Sequence, residues 1–569
     1  MADYYVRNGG NDNNDGLSIA NAWATVGKVN SAQFSPLDVV QFRSGETWRE
    51  KFTIAQAHSG LNEDNPVLFT SYGLGSRPII SGAEIESNWI REGNYFYASN
   101  YANNPGVVVK DGWLLKRREN KVDVDDDDAW WHDAGNARVY ILFDPAGKTM
   151  EIGDYSRRWT LYVNSNVHDV NIDGLCIRDG CRGVYVYSSA SDINLKNLTV
   201  KNLADWGVNI SPKTNVLDCN ISYIHDPGVK QSGPSGQDAS GYRIAGNEIS
   251  WTGYYMCTYC QGSAVVYSFS NVIIEHNNIH HCGLGYTQSW GMDHGLKLRA
   301  AGAIVRNNKV HHNAAGIGIV VGGSNMNVHH NEVWGNGVGI SHGYVTTGSK
   351  INNNIIYKNR VSHGDSCGFL INDGVVAEFK NNILYMNGNP PYSKQIWFRM
   401  GGMDDILDSD NNLIYGSEDP NADICRRVAT GYTWAEWQAA GYDLHSINSP
   451  DHGMVDPDNG DFTIKEEGEV SMAIIKLIIT EIPIFEVVAN PTEQTVQKGG
   501  ATSYEITLDT EGGYDKPVDL SISGVPSGVV ATFTPATIQP GESSILNILV
   551  TGDAVAGEYE MEVRGIINN

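Results

Sequence analysis

The chain has 569 residues, with 62 glycines and 19 prolines, and its 66 acidic and 40 basic residues give a net charge of −26 at pH 7. A surface this negative repels nucleic acid and anionic membranes, so we expect neither as a partner. No apolar run reaches the length of a membrane span, residues 473–480 being far too short, so membrane insertion is not expected.

The first eighty residues predict short strands separated by turns. The segment YYV is followed by a Gly/Asn/Asp-rich turn and a short amphipathic helix, and further apolar strands lie in 36–50 and 66–82. The start of the chain lacks the charged-then-apolar pattern of a signal peptide. We therefore expect this sequence to represent the mature form of a protein.

Residues 84–160 interrupt this pattern and predict a β-rich insertion. The acidic run Asp123–Asp128 within it provides the oxygen ligands that Ca²⁺ prefers. The run lacks the spacing and the intervening glycine of a calcium loop, so the favoured interpretation is a solvated acidic turn.

An asparagine recurs in one frame from residue 247 to residue 412. Each repeat places it two residues before an apolar residue, at Asn247, Asn277, Asn308, Asn331, Asn354, Asn382 and Asn412. Repeats of this length are typical of one coil of a solenoid, and Leu175, Leu198 and Cys219 continue the frame upstream. A buried column of identical asparagines satisfies its amides by bonding from coil to coil. The pattern predicts an asparagine ladder inside a parallel β-helix.

Apolar and polar residues alternate within each coil between residues 165 and 415. The alternation predicts that Val272, Ile274 and Ile279 lie inside and that Glu275 and His276 lie at or near the surface. Equivalent residues of successive coils form columns about 4.8 Å apart. The fold class is therefore all-β.

The C-terminal part of the chain predicts a separate domain. Residues 416–467 close the β-helix domain, which spans 1–467, and residues 468–482 form a linker. Residues 483–569 alternate apolar and polar residues with turn signals every eight to twelve residues, which is typical of an immunoglobulin-like β-sandwich. We expect this module to act as a spacer or attachment domain rather than a sugar-binding one.

The first eighty residues and the repeats resemble the pectate-lyase-like group of secreted right-handed parallel β-helix proteins. The resemblance rests on the YYV…GGNDNNDG start, the segment DVVQFRSGETWRE and the segment RPIISG. It implies a right-handed parallel β-helix, an extracellular location and a polysaccharide substrate. The group includes lyases, hydrolases, epimerases and tailspikes, so the reaction stays open.

Four long segments follow the asparagine-bearing strands, at 250–262, 280–294, 357–367 and 385–402. Long insertions in a solenoid lie on one face, commonly the binding face. Aromatic rings beside a polar groove suit sugar stacking. The proposed substrate-binding residues are Tyr255, Tyr267, Trp290, Trp397 and Arg399.

Lys297 and Arg299 form a candidate anion site. Alternation buries Leu296 and Leu298 and points the two cations outward. Alignment of the coils predicts that the column of Lys297 contains Tyr185, Asn209, Val265, Gly318, Gly339 and Leu370, with the two glycines leaving open space. The same alignment predicts that the column of Arg299 contains Tyr187, Ser211, Tyr267, Val320, Ser341 and Asn372.

These residue types suit β-elimination on a uronate. The reaction needs a cation on the carboxylate and a base that removes the neighbouring C5 proton. Arg299 is the candidate for the carboxylate, and Lys297 is the candidate base because the adjacent Arg299 favours its neutral form. His294 is the rival base. Asp293, His363 and Asp365 come from neighbouring segments on the same side, and calcium is a candidate cofactor because several lyases of this group use it.

Three alternatives remain. Glycoside hydrolysis requires two carboxyl groups across the scissile bond, and Asp293, Asp365 and Asp373 are the candidates. C5-epimerisation starts with the same proton removal, but this chain lacks the Asp-Pro-His motif of the known epimerases of this fold. A non-catalytic adhesin or tailspike-like binder would use the same groove without turnover.

Two further groups of possible metal ligands have simpler interpretations. Cys257 and Cys260 lack a second pair of ligands, so a zinc site is not favoured. His280-His281 and His311-His312 occupy matching positions of adjacent coils and are interpreted as stacked turn residues.

Overall fold

The computed structural model contains two compact units, residues 1–463 and residues 464–569. The residues that the structure describes are 1–154, 159–253, 263–283, 294–313, 316–344, 346–360, 366–388, 394–400, 405–419, 421–428, 430–465, 484–491, 494–511, 517–523, 525–551, 554 and 561–567. Cys257 and Cys260 therefore lie outside the described residues, as does the whole of the predicted linker 468–482.

The first unit is a solenoid in which each full coil adds one strand to each of three sheets. In chain order along a coil we name them sheet A, sheet B and sheet C. In the described residues they have 13, 12 and 13 strands, and neighbouring strands of the coils run parallel. The predicted parallel β-helix is confirmed.

The strand bounds follow sheet by sheet. Sheet A contains Asp3–Val6, Val39–Arg43, Val67–Tyr72, His168–Asp173, Ser191–Lys196, Thr214–Leu217, Arg243–Ala245, Ile273–Glu275, Ile304–Arg306, Asn327–His329, Thr347–Asn352, Val375–Lys380 and Ser409–Asp410. Sheet B contains Thr47–Trp48, Ile79–Ser81, Cys176–Gly180, Thr199–Leu203, Asn220–Ile224, Glu248–Thr252, Asn278–His280, Lys309–His311, Glu332–Trp334, Ile355–Tyr357, Ile383–Tyr385 and Leu413–Tyr415. Sheet C contains Phe52–Ile54, Leu161–Val163, Val184–Val186, Val208–Ile210, Val229–Gln231, Val265–Tyr267, Leu296–Leu298, Ile317–Val321, Val338–His342, Cys367–Ile371, Ile396–Phe398, Cys425–Arg427 and Thr430–Tyr432.

The core of the solenoid is a continuous apolar column enclosed by the three sheets. Val272, Ile274 and Ile279 are fully buried within it, as the alternation predicts. Glu275 is also buried, because Arg243 and Arg306 of the adjacent coils both pair with its carboxylate. Such cross-strand pairing is what makes a charged position compatible with burial.

The asparagine ladder lies at the turn between sheet A and sheet B. From Asn247 to Asn412, each side-chain amide donates to the side-chain oxygen of the next asparagine at 2.9–3.2 Å. Cys219 continues the frame, since its backbone N–H donates to the Asn247 side chain. The predicted ladder is confirmed, and it satisfies amides that are fully or almost fully buried.

A second asparagine ladder lies five residues further along each coil, at the end of the sheet B strand. It consists of Asn313, Asn336, Asn359 and Asn387, and Gln395 accepts from its last member. The side-chain bonds are 2.9–3.1 Å long. The two ladders hold both ends of the sheet B strands in register.

The residue before each asparagine of the first ladder has a left-handed backbone. Its φ is 54–67°, and the position is filled by Gly246, His276, Asn307, His330, Asn353, Asn381 and Asn411. Glycine, asparagine and histidine are the residues that tolerate this conformation most readily. This local requirement explains the repeated NN and HN pairs in the sequence.

Two short α-helices occur among the described residues. Val26–Ser31 begins after the N-cap Thr25, and Trp434–Ala439 begins after Thr433, whose capping box with Glu436 is complete. Short 3₁₀ turns lie at Gln56–His58, Lys121–Asp123 and Pro457–Asn459. Neither described α-helix has the length or hydropathy of a membrane span.

The β-rich insertion forms two sheets with their own core, and their strands pair antiparallel except for Lys116–Arg118 and Ala129–Asp133, which pair in parallel. One contains Ala83–Ile85, Pro105–Lys110, Trp113–Leu114 and Met150–Asp154, and the other contains Ile90–Glu92, Tyr95–Ser99, Lys116–Arg118, Ala129–Asp133 and Arg138–Ile141. The acidic run lies in a turn of this insertion, where Arg118 pairs with Asp125 and Asp126 and Lys116 pairs with Asp128. These pairs fit the interpretation as a solvated acidic turn.

Aromatic side chains stack in a column on the outer side of sheet B. The rings of His280, His311 and Trp334 lie parallel, with centroids 5.0 and 4.1 Å apart. Tyr357, Tyr385 and Tyr415 continue the column. The stacked-turn interpretation of the histidines is confirmed. In the described part of the chain no group of three or more His, Cys, Asp or Glu residues could hold a metal ion.

The end of the first unit covers part of this aromatic column. The hairpin of Met454–Asp456 and Asp461–Ile464 places Phe462 against Trp334 and Tyr357. Tyr357 also donates a hydrogen bond of 2.8 Å to Asp458. The chain therefore closes its own apolar surface at this end of sheet B.

The second unit is a β-sandwich of two antiparallel sheets. One contains Ile484–Asn490, Ala501–Glu511, Ser543–Val550 and Val529–Thr534, and the other contains Thr537–Ile538, Val518–Ser523 and Glu562–Ile567. Residues of both sheets share one core, including Ile506, Leu520 and Ile548. An immunoglobulin-like topology stays a prediction.

Candidate functional site

The outer side of sheet C is the face toward which the long connections of the chain lead. Five long stretches connect sheet B to sheet C, namely 82–160, 253–264, 281–295, 358–366 and 386–395. The first of them is the β-rich insertion. All five begin at the end of a sheet B strand and lead into the start of a sheet C strand.

One outward position of each sheet C strand forms what we call the central column. Strand pairing assigns to it Thr53, Tyr162, Tyr185, Asn209, Lys230, Val266, Lys297, Val320, Ser341, Leu370, Trp397 and Arg426. Lys297 therefore has Val266 and Val320 as its immediate neighbours. Leu296 and Leu298 on either side of it are fully buried, as predicted.

The prediction that Gly318 and Gly339 adjoin Lys297 is wrong. Both glycines belong to a column at the corner before each sheet C strand, and a Cβ at either would lie within 2.7 Å of the carbonyl oxygen of the next coil. Most coils have glycine at this position, at Gly183, Gly207, Gly228, Gly295, Gly318, Gly339 and Gly368. The glycines permit close packing of coils inside the solenoid and leave no open space above Lys297.

A second column, which we call the rim column, lies one residue beyond each sheet C strand. The backbone N–H of each member donates to the preceding coil, in Tyr187, Ser232, Arg299, Gly322, Gly343, Asn372, Arg399 and Val428. Arg299 and Arg399 are thus four coils apart, about 19 Å at the usual strand spacing. Val320 and Ser341 belong to the central column rather than to the column of Arg299.

Tyr267 was wrongly predicted to face outward beside Arg299. It pairs with the buried Leu298, is 1% exposed and packs against Phe269 in the core. The outward residue of its strand is Val266. Burial raises the pKa of the Tyr267 hydroxyl, and the hydroxyl has no hydrogen-bond partner among the described residues. Tyr267 is therefore a core residue that cannot contact a ligand on this face.

The two columns carry cations and no carboxylates. Among the described positions of these columns the charged residues are Lys230, Lys297, Arg299, Arg399 and Arg426. The other sheets have mixed outer columns, as with Glu275 beside Arg306 on sheet A and Lys309 beside Glu332 on sheet B. In a chain with 66 acidic and 40 basic residues, such a one-signed stripe is suited to an anionic ligand.

Arg299 is held by an exposed tyrosine that the sequence reasoning missed. Its guanidinium carbon lies 4.2 Å from the ring centroid of Tyr344, within cation–π range. Tyr344 is 47% exposed and has a φ of 69°, a conformation that is costly for a bulky side chain. A Cβ at Gly322 would lie 2.6 Å from the Tyr344 ring, so the glycine makes room for this contact.

His294 is buried at the start of the Lys297 strand. Its Nδ1 accepts a hydrogen bond of 3.2 Å from the backbone N–H of Ile317. The neutral ring then carries its proton on Nε2, so Nε2 is a donor in this arrangement. Because Nδ1 is occupied and Nε2 carries a proton, His294 is better suited to positioning the strand or to donating a hydrogen bond to a ligand than to acting as a base.

Trp397 and Arg399 lie on the same face, at the far end from Tyr185. The Lys394 ammonium is 4.1 Å from the Trp397 ring centroid, and the buried indole N–H of Trp397 has no acceptor among the described residues. Arg399 is exposed in the rim column. Trp397 itself is buried, so of the two residues Arg399 is the one that a ligand on this face can contact directly.

Five of the proposed site residues lie outside the described residues, namely Tyr255, Trp290, Asp293, His363 and Asp365. Asp373 is half-buried directly after Asn372 of the rim column. Its backbone oxygen lies 3.3 Å from the ring of the buried His342.

An aromatic cluster lies at the N-terminal end of sheet C. It consists of Trp159, Tyr162, Tyr185, Tyr187 and Trp206. The alignment of the coils correctly placed Tyr185 and Tyr187 on this face, but it missed Trp159, Tyr162 and Trp206. The sequence signal for the tryptophans is that Trp159 and Trp206 stand three residues before Tyr162 and Asn209 of the central column. That offset has meaning only after the strand register is known.

A family model for a right-handed β-helix region matches residues 152–354 and 237–417 of the chain. No curated protein sequence matches it.

The chain is similar to several solved structures at low identity. The complex of XylC with xylose has 11% identity and a TM-score of 0.49, and the match covers 99% of this chain and 100% of that one. Pectate lyase Pel9A has 13% identity and a TM-score of 0.39, covering 72% of this chain and 79% of its own. An alginate lyase from Paenibacillus sp. str. FPU-7 has 14% identity and a TM-score of 0.34, covering 58% and 93%.

These likenesses concern the fold alone. The matching family model, the three long parallel sheets and the near absence of described helix agree with one another. The chain is a right-handed parallel β-helix protein with a C-terminal β-sandwich.

Proposed function

We propose that the protein is a secreted enzyme that binds an anionic, uronate-containing polysaccharide along the outer side of sheet C and cleaves it by β-elimination. The observation that carries the proposal is the stripe of five cations without a carboxylate in the central and rim columns. A regular column of strands repeats its side chains about every 4.8 Å, which suits a polymer with a charge on each unit.

The chemistry assigned to the site uses Arg299, Lys297 and a tyrosine. Arg299 binds the uronate carboxylate and stabilises the negative charge that develops on it. Lys297 removes the C5 proton, the C4–O bond breaks, and the C4–C5 double bond forms while the leaving oxygen takes a proton. Tyr344, beside Arg299, is the described tyrosine placed to supply that proton. No water is consumed in this reaction.

The test is incubation with pectate, alginate and neutral xylan, following ultraviolet absorbance and reducing ends together. We expect both signals to rise with at least one polyuronate and neither with xylan. The Lys297→Ala and Arg299→Ala variants should lose at least 100-fold in kcat/KM, the usual size of a lost base or charge-stabilising group. Lys309→Ala, which changes an exposed cation on sheet B, is the matched control and should keep its activity.

Hydrolysis is the second candidate, and one observation favours it. Asp205 and Asp226 occupy equivalent positions of adjacent coils at the edge of sheet C, beside Trp206. Asp205 pairs with Arg182, however, and Asp226 accepts from the Trp206 indole at 2.6 Å. New reducing ends without absorbance would support hydrolysis and reject β-elimination. Binding without either signal would support a non-catalytic binder.

Calcium is a candidate cofactor of the proposed reaction. Chelation with EDTA followed by calcium addition tests it on the same assay. Loss of activity on chelation and recovery with calcium would support a calcium requirement, and unchanged activity would remove it.

A further inference from the structure

We infer that the aromatic cluster at the N-terminal end of sheet C is a distal binding platform for the same polysaccharide, several sugar units away from Lys297. The inference rests on the proposed function and adds a second binding site to it. Along the central column, Tyr185 is four coils from Lys297, about 19 Å at the usual strand spacing. A ligand that occupies both sites is therefore a polymer rather than a short oligosaccharide.

The platform is a surface of closely packed rings. Tyr162 and Tyr185 stack with centroids 5.1 Å apart and an angle of 14° between their planes. Trp159 lies 4.7 Å from Tyr185, and Tyr187 of the rim column lies 6.1 Å from it. Flat aromatic faces beside polar groups are the usual surface for the apolar side of a sugar ring.

Polar contacts behind the rings hold the platform in place. The Arg182 guanidinium lies 5.0 Å from the Trp159 ring and 4.0 Å from the Trp206 ring, and it pairs with Asp205. The Trp206 indole N–H donates to Asp226 at 2.6 Å. These contacts fix the rings before a ligand binds, which lowers the entropic cost of binding.

The tyrosine hydroxyls of the platform have no partner among the described residues. The hydroxyls of Tyr162, Tyr185 and Tyr187 make no hydrogen bond to any described residue, and Tyr187 is 39% exposed. Burial and the neighbouring Tyr185 and Tyr187 raise the pKa of Tyr162, so the Tyr162 hydroxyl is a hydrogen-bond donor at neutral pH. The three hydroxyls are available to the hydroxyls or carboxylates of a glycan.

The aromatic column of sheet B shows what a purely structural stack looks like in this chain. There the hairpin residues Phe462 and Asp458 pack over Trp334 and Tyr357. Trp334 and Tyr357 are buried there, whereas Tyr185 is half-buried and Tyr187 is 39% exposed. Lys230, 4.0 Å from the Trp206 ring, links the platform to the cation stripe and favours an anionic glycan.

The test compares the binding of long pectate or alginate with that of a short uronate oligomer. We expect Tyr185→Ala and Tyr187→Ala to weaken polymer binding about tenfold in affinity electrophoresis, the loss expected when a stacking contact is removed. Binding and turnover of a trimer at Lys297 should not change, and Tyr185→Phe, which keeps the stacking ring, should weaken polymer binding less than Tyr185→Ala. Tyr72→Ala, which breaks a similar tyrosine pair on sheet A, is the control.

Two outcomes separate this inference from the proposed function. If the wild-type protein binds and cleaves polyuronate while both alanine variants bind the polymer normally, the platform is rejected and the function stands. If the wild type binds no polyuronate, the proposed function itself fails. Circular dichroism of each variant verifies that it is folded.

Discussion

At the scale of the residue, the asparagine ladders are the clearest link between sequence and fold. The first ladder was predictable because a buried amide must be satisfied and because its spacing follows the coils. The second, from Asn313 to Asn387, was not predicted, since it spans only four coils and its asparagines follow dissimilar residues. The same amide chemistry produces both ladders.

The substitution Asn331→Ala tests the energetic contribution of the first ladder. Its side chain donates to Asn354 and Val305 and accepts from Asn308, so removing it leaves buried groups without partners. We expect the free energy of unfolding to fall by about 3 kcal/mol. Asn220→Ala, at an exposed position on sheet B, is the control in the same urea titration. Equal midpoints for the two variants would contradict a stabilising ladder.

Two substitutions at Tyr344 distinguish its positioning of Arg299 from proton donation. Tyr344→Phe keeps the ring that holds Arg299 and removes the hydroxyl, whereas Tyr344→Ala removes both. If the hydroxyl protonates the leaving oxygen, kcat on polyuronate falls at least 100-fold in both variants. If the ring only positions Arg299, the Phe variant keeps the wild-type kcat and the Ala variant alone raises KM. Wild-type kinetics in both variants would exclude Tyr344 from the site.

The histidine stack makes stability depend on pH. Burial and the neighbouring histidines lower the pKa of His311 to about 3. The Nδ1 atoms of His311 and His312 lie 2.9 Å apart in one hydrogen bond, which leaves no space for a proton on each of them. The unfolded chain binds a second proton on the His311 ring near pH 6.5, so this stabilisation is complete above pH 6.5 and is lost progressively as the pH falls toward 3.

The variant His311→Phe keeps the stacking on Trp334 and removes the titration. We expect Tm to fall less between pH 6.5 and 5 in this variant than in the wild type. Burial raises the pKa of Asp179 to about 6, so protonation of Asp179 increases stability as the pH falls, opposite to the effect of His311. Asp179 is present in both proteins, so its effect cancels in the comparison. Parallel Tm curves would show that His311 does not contribute.

At the scale of the element, the sequence predicted the sheets better than the register between their strands. A shift of two residues keeps the alternation of inside and outside, so the pattern alone could not distinguish Gly318 from Val320 as the neighbour of Lys297. Glycine occupies the corner positions because neighbouring coils pack closely there, whereas the sequence interpretation took these glycines as open surface above Lys297. The cation stripe depends on this register and therefore became visible only in the structure.

The insertion is tied to the solenoid by a buried charge cluster. Glu151 pairs with Arg49 at 2.6 Å and with Arg178 at 3.1 Å, and Arg178 also pairs with the buried Asp179. We expect Glu151→Ala to destabilise the protein by about 3 kcal/mol, because it leaves two largely buried cations without their partner. Thermal unfolding measures this loss.

Glu92 provides the matched control for Glu151. It also pairs with two cations, Lys121 and Arg138, but lies exposed in the insertion. Glu92→Ala should leave Tm nearly unchanged, because solvent screens exposed pairs. If Glu92→Ala lowered Tm as much as Glu151→Ala does, burial would not explain the stabilising effect of the Glu151 cluster.

At the scale of the whole molecule, each sheet of the solenoid has its own kind of outer surface. Sheet A carries columns of mixed charge, sheet B carries aromatics that the closing hairpin covers in part, and sheet C carries cations with an aromatic cluster at one end. The sequence predicted the fold and the face. It could not predict the composition of that face, since its columns gather residues from coils that are 21 to 36 residues apart in the chain.

The most direct test of the central claim is the affinity of the wild-type protein for one polyuronate before and after chemical reduction of its carboxylates to alcohols. The account predicts tight binding to the polyuronate that weakens as salt increases, and little binding to the reduced polymer, because the cation stripe of sheet C recognises charge. Equal affinity for the two polymers, independent of salt, would contradict it.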